Sequence, residues 1–226
     1  MTWVKICGTT NLEDAQLSVA AGANALGFVF APGSRRINVA NAAAIVAELR
    51  GGIEAIGVFV NESPAHVAAI AGQAGLTGVQ LHGEEPPASL PEFRQALGER
   101  KIIKTLRGNE ISKAGGFTLD AYLSAADSID AVLLDSGSLL QRGGTGVTFD
   151  WQQTKPLAQE IRCAMPLILA GGLNAANVAE AIAWFEPWGI DVATGVESSP
   201  GKKDENKLRE FVAVVRHTAA SVRQRE

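Results

Sequence analysis

The sequence predicts a closed α/β barrel of eight strand–helix units, a single-domain (β/α)₈ barrel of the TIM type over residues 1–226. Three observations predict it. Eight short apolar runs recur at even spacing. A helix-like pattern lies between most of them. The runs are near-continuous rather than alternating, which is how parallel strands buried on both faces read. An open doubly wound sheet is disfavoured by the count and the spacing, and no G-x-G-x-x-G follows the first run.

The first run is Trp3 to Cys7, followed by a helical pattern from Asn11 to Ala21 with Asn11 as N-cap and Glu13 and Asp14 in the first turn. The second, Ala25 to Phe30, leads through the loop Pro32-Gly33-Ser34-Arg35-Arg36 to a helix near Ala40 to Arg50. The third, Ile53 to Val60, precedes a helix capped by Ser63 with Pro64 in its first position. Gly78 to His82 is the fourth and Lys101 to Leu106 the fifth, the latter followed by a short, weak helix at Leu119 to Ala126. The sixth, Ala131 to Asp135, is separated by the glycine-rich loop Gly143-Gly144-Thr145-Gly146 from a helix near Trp151 to Arg162. Pro166 to Ala170 is the seventh, then Gly171-Gly172 and a helix from Ala175 to Phe185. The eighth, Ile190 to Thr194, ends on Gly195, and a final amphipathic helix runs from about Asp204 to Val222.

Composition bounds the function. A hydrophobic fraction of 46% and a charged fraction of 19% describe an ordinary globular protein. A net charge of −4 leaves no basic face for nucleic acid. Two cysteines, Cys7 and Cys163, make neither a metal pattern nor a disulfide framework. No signal-peptide pattern and no membrane-length apolar run occur in the sequence, so a cytoplasmic setting is expected.

In a barrel of parallel strands the carboxyl ends share one mouth, where chemistry gathers. Those ends carry Cys7, Phe30, Val60, His82, Leu106, Asp135, Gly171-Gly172 and Thr194-Gly195. Glycine turns after the seventh and eighth strands allow backbone amides to approach an anion, and barrels commonly hold phosphate there. Val196-Glu197-Ser198 reads as the start of a short extra helix at that site. The same glycines also serve plain tight turns. Cys7 opens onto a glycine and is a base or nucleophile when ionised. Lys5 shares its strand face, and barrel closure puts Asp191 beside Lys5, as an ion pair under the site that also favours the Cys7 thiolate or as a purely structural pair. Asp135 ends the most apolar strand, and apolar surroundings favour the protonated carboxyl that a general acid needs. Arg36 offers a guanidinium fork for a carboxylate. His82 reads better as a packed imidazole than as a ligand contact.

Lys5-Ile6-Cys7-Gly8, Gly27-Phe28-Val29-Phe30, Gly57-Val58-Phe59, Val79-Gln80-Leu81-His82-Gly83, Leu133-Leu134-Asp135, Gly143-Gly144-Thr145-Gly146, Ala170-Gly171-Gly172-Leu173 and Asp191-Val192 with Gly195-Val196-Glu197 occur in this order. Over essentially the whole chain this resembles the phosphoribosylanthranilate isomerases of tryptophan biosynthesis. The resemblance implies an Amadori rearrangement of a phosphorylated aminoaldose by general acid–base catalysis. It implies Cys7 as base, Asp135 as acid and Arg36 as the partner of the anthranilate carboxylate. It assigns Gly171, Gly172, Thr194 and Gly195 to phosphate and the Gly144 loop to closure over substrate. No metal or organic cofactor is implied, because the substrate's own nitrogen is the electron sink. Where the family has two serines before the last glycine, this chain has Ala193-Thr194, a change that bears on phosphate affinity more than on chemistry. Arg35 beside Arg36 leaves open which of the two points inward.

Two other readings share the fold. A carbon–carbon lyase or synthase, such as the indole-glycerol-phosphate enzymes, needs a lysine or paired carboxyl groups at the mouth, and among the strand ends only Asp135 is acidic. A non-catalytic phosphosugar-binding barrel has no use for Cys7 and Asp135 together. Oligomeric state is not written in the sequence; monomer is the default and a dimer stays open.

Overall fold

The computed structural model describes residues 2–49, 51–107, 118–135 and 151–223. Eight parallel strands close into a barrel in sequence order: β1 (Trp3–Cys7), β2 (Ala25–Val29), β3 (Glu54–Phe59), β4 (Gly78–Leu81), β5 (Lys101–Arg107), β6 (Ala131–Asp135), β7 (Leu167–Ala170) and β8 (Gly189–Val192). Closure is the β1–β8 pairing, with Lys5 opposite Asp191. Around them lie α1 (Leu12–Ala20), α2 (Val39–Glu48), α3 (Pro64–Gln73), α4 (Leu90–Leu97), α5 (Leu119–Leu123), α6 (Trp151–Ala164), α7 (Val178–Phe185) and α8 (Glu205–Arg223).

The capping residues act as their chemistry dictates. Asn11, Asn38, Ser63 and Thr118 each accept a backbone N–H from the first turn of α1, α2, α3 and α5. Pro64 occupies the first turn of α3, where its missing N–H costs nothing. The expected glycine-rich loop, Gly143 to Gly146 with Gly144, lies outside the described residues.

Strand alternation sorts the core into two shells. Val4, Ile6, Leu26, Phe28, Val79, Leu81, Val132, Leu134, Leu169 and Ile190 point outward and form one continuous cluster with the helices. Trp3, Ala25, Ile56, Ile103, Ala131, Leu133, Ile168 and Ala170 point inward as a second cluster. The amino-terminal end of the barrel is closed by Trp3 stacked on Trp188, centroids 5.2 Å apart, with Lys101 Nζ over both rings and paired to Glu54. Towards the other end the interior turns polar: Lys5, Gln80, Thr105 and Asp191 are all buried. That polarity gradient aims the barrel's chemistry at its carboxyl-terminal mouth.

One element departs from expectation. In place of an extra helix at Val196-Glu197-Ser198, the chain makes a single 3₁₀ turn, Thr194–Val196, then an antiparallel hairpin of β9 (Glu197–Ser199) and β10 (Lys202–Lys203). The physical reason is the Ser199-Pro200-Gly201 stretch. Proline pre-sets the turn and Gly201 takes φ +82°, so the backbone reverses after three residues.

Candidate active site

A cavity of about 460 Å³ opens at the carboxyl ends of the strands, a size typical of small-ligand pockets. Its wall includes Cys7 from β1, His82 after β4, Asp135 from β6, Gly171-Gly172 after β7 and Thr194-Gly195 after β8. Thus the sequence-predicted thiol, carboxyl group and both glycine turns meet on one surface.

Cys7, a half-buried residue, ends β1. Its neighbour across the ladder is Gly27, and a Cβ at that position would lie 2.8 Å from Cys7 Sγ. Glycine is therefore what leaves room for the sulfur. Lys5 Nζ, wholly buried, donates to Asp191 Oδ1 at 2.8 Å. Burial opposes the Lys5 ammonium, but Asp191 and then Cys7 outweigh it and hold its pKa above the ordinary value. For Cys7 the balance falls the other way. Burial raises the thiol pKa more than Lys5 and Lys203 lower it, and Asp191 adds to the rise. The Lys5–Asp191 pair expected from barrel closure is present, and Lys5 does favour the thiolate, yet the resting group is a thiol.

Behind Cys7 lies a network that sequence reading missed. Lys203 Nζ donates to the Cys7 carbonyl and to Glu197 Oε1, the latter at 3.1 Å. Arg35 forks onto Glu197, with Nε at 2.8 Å from Oε1 and Nη2 at 2.5 Å from Oε2, and Nη2 also donates to Thr194 Oγ1 at 3.2 Å. The stem of Arg35 lies across Gly8, whose φ of +78° and missing Cβ make the approach possible. Burial pushes the Glu197 carboxyl pKa up, but the Arg35 fork and Lys203 overcome it and leave the net shift downward. The hairpin thereby ties the β2 and β8 loops to the end of β1. The signal was in the sequence as Glu197 in the Gly195-Val196-Glu197 motif, but its partners lie far away along the chain.

Of the two arginines, Arg35 lines the cavity and Arg36 is exposed on the same loop, its backbone bridging to Val29. The Arg36 side chain makes no hydrogen bond among the described residues. The glycines have backbone reasons of their own. Gly171 and Gly172 take φ of +96° and +63°, and a Cβ on Gly195 would stand 1.9 Å from the Leu173 carbonyl oxygen. The β7 and β8 loops thus touch backbone to backbone at the mouth.

His82 belongs to the cavity wall rather than the packed core. Its Nδ1 contacts Gln80 Nε2 at 2.8 Å and Thr105 Oγ1 at 3.1 Å, while Nε2 lies 3.7 Å from Asp135 Oδ2. No group of three or more His, Cys, Asp or Glu side chains placed to hold a metal occurs among the described residues. No helix among them is long and apolar enough to cross a membrane.

Residues 4–214 match the family model for N-(5'-phosphoribosyl)anthranilate (PRA) isomerase. The chain belongs to the N-(5'-phosphoribosyl)anthranilate isomerase family. It is 45% identical to the N-(5'-phosphoribosyl)anthranilate isomerase of Pelobacter propionicus, over 96% of this chain and 97% of that one. Against the enzyme of the same name from Geobacter sulfurreducens the identity is 46%, over 94% and 97%. Among solved structures, phosphoribosyl anthranilate isomerase from Thermotoga maritima superposes with a TM-score of 0.78 at 38% identity, covering 96% of this chain and all (100%) of that one. A phosphoribosyl anthranilate isomerase in complex with reduced 1-(o-carboxyphenylamino)-1-deoxyribulose 5-phosphate gives a TM-score of 0.77 at 37% identity, with 96% and 100% coverage.

Proposed function

We propose that the chain catalyses the Amadori rearrangement of N-(5-phospho-β-D-ribosyl)anthranilate to 1-(2-carboxyphenylamino)-1-deoxy-D-ribulose 5-phosphate, a step of L-tryptophan biosynthesis, as one cytoplasmic catalytic barrel. Family membership supports the reaction. The observation that carries the assignment of roles is that Cys7 and Asp135 line one cavity with the β7 and β8 glycine turns.

Asp135 protonates the ribose ring oxygen, so the C1–O bond breaks and the ring opens to a protonated Schiff base. The Cys7 thiolate then takes the proton from C2, and the electron pair moves into the iminium to give an enolamine. Tautomerisation yields the ketone, so atoms and electrons balance without a redox partner or cofactor. The resting thiol gives its proton to solvent before it acts, helped by the cation that ring opening brings into the cavity, which offsets the burial that disfavours the thiolate. After turnover the proton taken from C2 leaves Cys7 and Asp135 regains one, both through solvent.

Gly171, Gly172, Thr194 and Gly195 hold the phosphate through backbone amides and the Thr194 hydroxyl, which takes the role of the family's serine. Arg36 meets the anthranilate carboxylate from the rim, since the Arg35 fork is engaged by Glu197. The Gly144 loop closes over the substrate. The partner is this phosphorylated aminoaldose alone, with neither nucleic acid nor membrane, and the chain acts as a monomer or a dimer; one relative's structure is described as monomers made from a dimeric Thermotoga maritima enzyme. The test is turnover of phosphoribosylanthranilate, followed by loss of its fluorescence, with Arg36→Met expected to raise KM more than it lowers kcat.

A further inference from the structure

We propose that His82 is a positioning residue for the general acid: a neutral imidazole, protonated on Nε2, whose N–H is aimed at Asp135 Oδ2 and stabilises the charge Asp135 acquires on giving up its proton. The inference rests on the reading of Asp135 as the acid, and it assigns a function to a side chain that the proposed mechanism leaves unused.

The tautomer follows from three polar atoms in mutual contact. Gln80 Nε2 is 2.8 Å from His82 Nδ1 and 3.1 Å from Thr105 Oγ1, and Thr105 Oγ1 is 3.1 Å from the same Nδ1. The Gln80 amide nitrogen carries two protons and no lone pair to accept with. Both contacts are met if it donates one proton to Nδ1 and one to the threonine oxygen. A proton on Nδ1 would face that donor at 2.8 Å, so Nδ1 is the acceptor and the ring proton sits on Nε2. Turning the amide over would leave two buried N–H donors without partners, against the single unpaired atom, Gln80 Oε1, of the present arrangement.

Nε2 is 3.7 Å from Asp135 Oδ2, about half an ångström beyond a hydrogen bond, a gap of the kind that tightens when substrate binds. Among the described residues, the charged groups that act on the ring are Asp135 and Asp191, which favour the imidazolium, and Arg107 and Lys5, which disfavour it. Burial is the largest influence and the net shift of the His82 pKa is downward, in keeping with a neutral ring at neutral pH. A neutral donor stabilises the developing carboxylate without holding a full cation against the ionised acid.

Two measurements test this. The first is the ¹⁵N spectrum of the imidazoles in the uniformly labelled protein from pH 6 to 8, which has only three histidines to assign. One ring with an unprotonated Nδ1 and a protonated Nε2, absent in His82→Gln, is expected; an Nδ1–H tautomer or an imidazolium at His82 would overturn the proposal. The second is kinetic. His82→Gln puts an amide donor near the Nε2 position, whereas His82→Asn puts its amide near Nδ1. His82→Asn is expected to lower kcat about 10- to 100-fold, the worth of one hydrogen bond to a developing charge, with KM within about threefold and the thermal midpoint held. His82→Gln should recover most of the loss, and His82→Asn should add little to Asp135→Asn. Equal loss in both variants, or a loss confined to KM, contradicts the positioning role. An active wild type with an unaffected His82→Asn variant sinks this inference alone. A wild type that turns over no phosphoribosylanthranilate sinks the isomerase reading, and the kinetic role with it, while the spectrum still reads the tautomer.

Discussion

Cys7 carries two opposed instructions. The cavity wall removes water from its sulfur, which favours the thiol, while Lys5 and Lys203 favour the thiolate less strongly. A base must be deprotonated to act, so a raised pKa predicts that kcat/KM climbs with pH through the alkaline side of neutrality. Lys5→Met removes one of the two cations that oppose burial and should move that rise to still higher pH. A rise completed in the acid range, or one that Lys5→Met leaves in place, would contradict this account. Room for the sulfur is a separate requirement, met by Gly27. Gly27→Ala brings a Cβ within 2.8 Å of Sγ, so the sulfur must move, and a misplacement of the order of 1 Å costs about 100-fold in rate. Steady-state kinetics beside an unchanged far-ultraviolet spectrum checks this.

At the scale of elements, the β9–β10 hairpin and the loop after β4, beside β5, are both held by buried ion pairs. Lys203 pairs with Glu197 behind Cys7, and Lys104 with Glu85 beneath the β4 loop at 2.7 Å. Burial pushes the Glu85 carboxyl up, but Lys104 and the backbone N–H donors prevail and its net shift is downward, as for Glu197. A carboxyl whose folded pKa is depressed contributes stability above its unfolded value, about 4.5, and loses it as pH falls through the folded one. Glu85→Gln removes the carboxylate counter-charge of the buried Lys104 ammonium, which keeps its backbone carbonyl acceptors, and should cost about 3–5 kcal/mol at pH 7. The gap from wild type should narrow below about pH 4.5, as urea unfolding at a series of pH values would show. A gap independent of pH would contradict the ionised pair. Lys5 works in the opposite sense: its raised pKa contributes stability fully below about 10.5, which is lost only as pH rises through the folded value.

Across the whole molecule, the eight strand–helix units were legible because strands buried on both faces must be apolar throughout, and the Asn11 and Ser63 caps were legible because each meets an N–H group three residues away. Cys7, Asp135 and both glycine turns were legible as strand ends, and Lys5–Asp191 followed from closing β8 on β1. Glu197 with Arg35, the hairpin, and the Gln80–Thr105–His82 triangle were not. Their partners meet across loops or neighbouring strands, and local periodicity carries no record of side-chain contacts 162 residues apart. Arg35 illustrates the point: beside Arg36 it looked interchangeable, yet only tertiary contact ties it to Glu197. The β8 loop gives a prediction at this scale. Gly195→Ala drives a Cβ to 1.9 Å from the Leu173 carbonyl oxygen, so the two mouth loops must part, and phosphate-dependent binding should fall along with stability. Calorimetric titration with the reduced product analogue, beside a thermal melt, checks both.

The central claim is an acid–base pair, Cys7 and Asp135, acting on phosphoribosylanthranilate across one cavity. The most direct measurement is the fluorescence decay of that substrate with purified wild type, Cys7→Ser and Asp135→Asn. The account predicts turnover by the wild type, a loss of about 100-fold or more in each folded variant, and retained binding of the reduced product analogue. A wild type that binds the analogue without turning over substrate, or a variant that keeps full activity, would contradict it.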